Sequence, residues 1–174
     1  MDLNTKEAEQ LVRQVVGRLL LNGVHVPFYS FDVDSNAFYS ADTFSAVLVM
    51  SDLPAPYNTM SWWGSQTSID VSIWAGLINQ GTQDWKELIV GAVDHLSIHP
   101  AKFEVSISGR DYTSRFIDHK TNEKFANMTT SQVATLLATR RGLTPVVTAT
   151  TTQVGGITKW DRSEEHTSEL QSQP

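Results

Sequence analysis

The sequence predicts a mainly β fold: an antiparallel β-barrel or strongly curled sheet with one or two short helices. Three observations predict it. Strict apolar–polar alternation recurs in several short runs, as strands with one buried and one wet face require. Turn-forming pairs separate neighbouring runs at spacings too short for the crossover that a parallel arrangement needs. Only one stretch, late in the chain, combines an apolar helical face with both start and stop signals.

The elements follow in chain order. Ala8, Leu11, Val12, Val15, Val16 and Leu19 recur at helical spacing, which allows a helix over 5–16, while Val12 to Leu20 serves equally well as the start of a strand. Asn22-Gly23 then sets a hairpin, because both residues accept positive φ cheaply. Tyr29 to Asp34 alternates and ends at Ser35-Asn36. Thr43 to Met50 is a strand whose Val47 and Val49 imply burial on both faces. Ile69 to Ile73 alternates again. Leu88 to Ile98 is rich in β-branched residues and carries Gly91 where a bulge would sit. Pro100-Ala101-Lys102 joins that strand to Phe103–Ser108 as a hairpin. Gly109 supplies a bend, and Asp111 or Thr113 caps a short helical turn. Thr129 and Gln132 form a capping box for a helix over 130–141, with Val133, Leu136 and Leu137 on its apolar face and Gly142 at its end. Leu143 to Thr151 resumes strand composition, with Pro145 placing it at an edge or a strand start.

A chain of 174 residues with 40% apolar content is long enough for one core. Its formal charge of −6 argues against broad attraction to nucleic acid or to an anionic membrane. The absence of cysteine removes thiol nucleophiles, Cys-ligated zinc and iron–sulfur clusters together. Charges scattered through the first twenty residues break any secretory h-region, and no apolar run of ~18 residues would insert into a bilayer. Folding and assembly in a cytoplasm are therefore expected. Residues 162–172 resemble an in-frame translation of a common sequencing adapter and are set aside from fold reasoning. Without Arg162, Glu164, Glu165 and Glu169 the charge is still acidic, and the natural chain is expected to continue differently after about Asp161.

Candidate chemistry is sparse. His95 and His99, beside Asp94, have the spacing that chelates zinc on a helix, but on a strand four residues separate the rings by roughly 13 Å. Solvent-facing histidines fit better. His25 and His119 stand alone, and no Gly-x-Ser-x-Gly elbow accompanies them. Trp62-Trp63, with Trp74 and Trp85, would suit a sugar-stacking platform, and Asp70, Asp84 and Glu87 would suit glycoside cleavage. Yet adjacent tryptophans on a strand point to opposite faces, and Asp70 sits on the polar side of a regular alternation, so packing explains them better. Gly109-Arg110-Asp111 lacks the further glycines and lysine of a phosphate loop. The residues thus predict no catalytic, metal-binding or cofactor-binding side chain and no enzyme.

The run from Val105 through Gly109-Arg110-Asp111-Tyr112 to Ala134 resembles the barrel-closing segment of phage tail and baseplate hub proteins. These are the late control D-like family, related to the hub part of type VI secretion spikes. Phe31 to Phe44, Trp62-Trp63 and Leu88 to Asp94 fit the same pattern, so the resemblance covers about 18–155. It implies a tail-tube-like, hub-type β-barrel over 18–155, with 1–17 as an extension outside the pattern and 156–174 as a truncated end. It further implies a virion structural protein without catalytic residues. Such hubs assemble as homotrimers whose barrels present a pseudo-sixfold ring to the tail tube protein and carry the central spike among other baseplate proteins. A complete hub of that family is expected to carry a second barrel beyond these residues. A tail-associated peptidoglycan hydrolase and a carbohydrate-binding β-domain stand as the alternatives, the latter requiring exposed tryptophans.

Overall fold

The computed structural model describes residues 14–37, 40–79, 82–120, 125 and 127–153. These fall into two compact units, one within Met1–Val33 and Phe44–Gly109, the other within Asp34–Thr43 and Arg110–Pro174. Seven strands make one sheet: β1 (Gln14–Leu21), β2 (Val24–Val26), β3 (Ser30–Asp34), β4 (Thr43–Val49), β5 (Asp70–Asn79), β6 (Thr82–His99) and β7 (Glu104–Asp111). Their order in the sheet is β2-β1-β5-β6-β7-β4-β3. The mainly β fold expected from the alternation is what the chain adopts.

The strand order dictates the curl. Edge strands β2 and β3 are consecutive in the chain, joined only by Pro27, Phe28 and Tyr29. Seven strands laid flat would put those edges about 29 Å apart, whereas the four Cα steps from Val26 to Ser30 reach at most about 14 Å. The sheet must therefore wrap until its edges nearly meet. Gly17 on β1 records the closure, since a Cβ there would lie 2.5 Å from Phe31 Cε1 and 2.8 Å from Phe28 Cζ. A side chain at this position would force those rings to move.

The inward positions form a continuous apolar core. Leu19 and Leu21 on β1, Phe44, Ala46 and Leu48 on β4, Val71 and Ile73 on β5, and Val105 and Ile107 on β7 are all buried there. The pairs Leu19↔Ile73 and Leu21↔Val71 set the β1–β5 register, and a slip of one residue would turn the slipped strand's core side chains to water. Beyond Asn79 the β5–β6 hairpin returns as the 18-residue β6, which contains a bulge. Ile73 faces Ile89 but Trp74 faces Glu87, so Leu88 is the extra residue. The bulge thus sits three residues before Gly91, the position that composition suggested, and Gly91 instead pairs regularly with Val71.

Local signals and structure agree at several points. Asn22 (φ 48°) and Gly23 (φ 80°) close the β1–β2 hairpin. Asn22 Oδ1 also accepts the Asp70 amide at 2.8 Å, tying the turn to the start of β5. Pro100–Lys102 forms a single 3-10 turn between β6 and β7, with Phe103 left-handed at φ 53°. Of the two readings offered for the N-terminal run, the strand holds from Gln14 onward, so the 1–17 boundary falls inside β1; residues 1–13 lie outside the described residues.

Three expectations are corrected. Trp62 and Trp63 lie on α1 (Met60–Ser65), not on a strand. Pro54 and Pro56 rule out ladder pairing just upstream, and Trp62 bonds back to the Thr59 carbonyl as the helix begins. Gly109 sits within an unbroken β7, and a Cβ there would collide with the Ala92 carbonyl oxygen and the Phe44 ring; close approach explains it, not a bend. Residues 143–152 form no strand. Leu143 to Thr148 alternate in exposure like one, with Val146 97% exposed, but no neighbouring strand pairs with the segment among the described residues, where only Thr129↔Gln153 makes an isolated bridge.

The second unit holds α2 (Ser114–Ile117) and α3 (Thr130–Arg140). Phe125, Val133 and Leu137 form its small core, with Phe116, Met128 and Leu136 against it. The capping box is present in both directions: Thr129 Oγ1 accepts the Gln132 amide at 3.3 Å, and Gln132 Oε1 accepts the Thr129 amide at 2.8 Å. Gly142 at φ 70° ends the helix one residue earlier than its sequence range, 130–141, suggests.

Candidate functional site

The carboxylates that composition offered for glycoside cleavage are held apart by the sheet. Asp70 opens β5, Asp84 lies opposite Leu77, and Glu87 lies opposite Trp74. Along β5 this places Glu87 roughly 13 Å and Asp84 roughly 23 Å from the Asp70 level. Asp84 and Glu87 are three residues apart on one strand and so face opposite sides. Retaining and inverting glycosidases need carboxyl pairs about 5.5 Å and at most about 9.5 Å apart. No pair among these three residues meets either requirement.

His95 and His99 lie on the extended β6, exposed, with His99 Nε2 3.4 Å from Ser97 Oγ. Their strand separation, roughly 13 Å, is too wide for one ion. Asp94 is beside them, pointing to the other face. His25 is on β2, and His119 follows α2, its Nδ1 2.9 Å from the Arg115 carbonyl oxygen. No described group of three or more His, Cys, Asp or Glu side chains converges as metal ligands would.

The tryptophans serve packing. Trp63 is 2% exposed and its Nε1 donates to the Tyr57 carbonyl at 2.7 Å. Trp62 meets Trp63 edge-to-face with centroids 4.8 Å apart, and Tyr57 meets Trp62 at 4.5 Å. Tyr57 in turn donates its hydroxyl to the Leu21 carbonyl at 3.1 Å, so the 53–69 connection plugs the barrel at the Leu21 end. On the outer face Trp85 lies over Gly76, its directly paired residue, and the Arg18 guanidinium stacks 4.2 Å above the ring. Trp74 Nε1 donates to Ser72 Oγ at 3.3 Å. A sugar platform needs a bare ring face; Trp63 is buried, Trp85 lies between Gly76 and the Arg18 guanidinium, and Trp62 is half-buried against Tyr57 and Trp63.

The other polar grouping surrounds Gly109-Arg110-Asp111. Arg110 grips Asp118 with two parallel bonds of 3.0 and 2.8 Å, which holds the Asp118 carboxyl below its ordinary range. Asp111 is shifted the other way: burial raises it, opposed by the 2.6 Å bond from Thr113 Oγ1, with the nearby Asp42 carboxylate adding to the rise. Asp111 bonds Thr113 Oγ1 while its carbonyl takes the Ser114 hydroxyl at 2.7 Å, so both candidate capping residues act at the start of α2, though neither caps it in the usual way. In this grouping the Thr113 and Ser114 hydroxyls are both engaged in local hydrogen bonds to Asp111.

What the sequence missed is the barrel end remote from Tyr57. There the inward face of the sheet continues past its core layer, and Val15 (73% exposed) and Leu77 (48% exposed) are directly paired across β1 and β5. The signal was present in Ala75 and Leu77, which extend the alternation of Val71 and Ile73 beyond the range assigned to that strand.

No known protein family matches the sequence, and no curated protein matches it either. Solved structures do. The 43 kDa tail protein of prophage MuSo2 from Shewanella oneidensis superposes over 90% of this chain with a TM-score of 0.56 at 16% identity. The tail protein of Neisseria meningitidis MC58 does so over 82%, with a TM-score of 0.50 at 18% identity. The fold is shared with these tail proteins. The chain spans 49% and 40% of their respective lengths. No described helix is long and apolar enough to cross a membrane.

Proposed function

We propose that this chain is a structural component of a phage tail, and within it a baseplate hub protein. Its copies form a homotrimeric ring that joins the tail tube to the central spike of the virion, assembled in the host cytoplasm. The observation that carries the reading is the superposition on a phage tail protein over 90% of the chain. Physical considerations support it. The inward face is filled by a packed apolar core, so one barrel is a wall and not a pore. A channel then has to form between subunits, which a ring provides. The dispersed carboxylates and histidines leave the surface to act by shape, and the acidic charge suits protein partners better than nucleic acid.

Electron microscopy of the purified chain, with its mass from sedimentation, tests the proposal. Closed ring-shaped particles with threefold averages, at three times the 19.3 kDa chain mass, are expected. Particles that stay at the single-chain mass at the highest attainable concentration would refute it.

A further inference from the structure

We propose that the sheet end carrying Val15, Leu77, Asp84 and Lys86 is the surface through which copies of this chain associate. The inference rests on the oligomeric reading above and assigns it a place. The register puts all four side chains on one face, since Val15 pairs with Leu77, Leu77 with Asp84, and Ala75 with Lys86. That face continues inward through the Gly17–Ala75 pair to Leu19 and Ile73, which are buried in the core. Among the described residues the apolar surface therefore runs out of the barrel interior to an exposed end, where Val15 is 73% and Leu77 48% exposed.

Charge complementarity selects a second copy as the occupant. Asp84 and Lys86 are both exposed, two residues apart on β6, and lie together on the β6 side of the apolar pair. In a closed cyclic assembly every subunit offers the same face. Lys86 of each copy meets Asp84 of the next, each charge is used once, and Val15 and Leu77 pack about the symmetry axis. A foreign partner would need its own matching acid, base and apolar patch; a second copy carries all three by construction.

The test reverses charges in the full-length chain and follows mass against concentration by sedimentation, with circular dichroism verifying the fold. Asp84→Lys and Lys86→Asp each set like charges against each other at the contact and are expected to weaken association about tenfold or more. The double variant restores complementarity with the signs exchanged and is expected to recover most of the loss. Leu77→Ser, at a half-exposed position, is expected to weaken association while leaving the melting transition nearly in place. If the native chain assembles and the single reversals assemble equally well, the contact lies elsewhere; this inference falls and the ring reading stands. A native chain that stays monomeric overturns both.

Discussion

Among the described residues, Asp111 is a carboxyl whose surroundings oppose its ionised form. Burial and the neighbouring Asp42 disfavour its carboxylate, and the Thr113 hydroxyl only partly offsets them. Its folded pKa is therefore above the unfolded one, so ionisation costs stability at neutral pH, and the cost fades as pH falls through the raised value. Asp111→Asn keeps an acceptor for Thr113 while removing the charge. It is expected to raise unfolding stability at pH 7 by roughly 0.5 kcal/mol, since solvent screening keeps such terms small, with the advantage vanishing in acid. Urea titrations of both proteins at several pH values measure this. Asp118 runs the opposite way: its Arg110 bonds lower its pKa, and their contribution is lost as pH drops below the usual carboxylate range.

Among the elements, α3 illustrates what local chemistry decides. Its start is fixed by two reciprocal bonds between residues three apart, and Thr129→Ala removes the acceptor for the Gln132 amide. A loss of about 1 kcal/mol is expected, seen as a lower urea midpoint with an unchanged slope. Elements of this kind were legible in the sequence, as were the Asn22-Gly23 turn and the alternating cores of β3, β4, β5 and β7, because the information sits within a few residues. The illegible ones depend on distant partners. Leu88 is bulged out, so Glu87 faces outward while Ile89 faces the core, and the phase of alternation breaks in mid-strand. That break concealed the early part of β6, and with it the pairing that separates Asp70, Asp84 and Glu87. Residues 143–152 show the converse: strand composition without a neighbouring edge gives an extended segment and no strand. Trp62-Trp63 followed the prolines before them into a helix that no alternation announces.

For the molecule as a whole, the placing of function in shape depends on the wall closing on itself. A seven-stranded sheet whose edge strands are joined by three residues has one economical solution, and the bare Cα of Gly17 beneath the Phe28 and Phe31 rings marks the seam. The end-face contacts and the ring all presuppose that seam. Nuclear Overhauser effects from the Gly17 α protons to the ring protons of Phe31 and Phe28 report on it most directly. We predict strong effects, unchanged on dilution, alongside those expected across the Leu19–Ile73 pair. If the Leu19–Ile73 effects appear while those from Gly17 to both rings are missing, the sheet is open and the account fails.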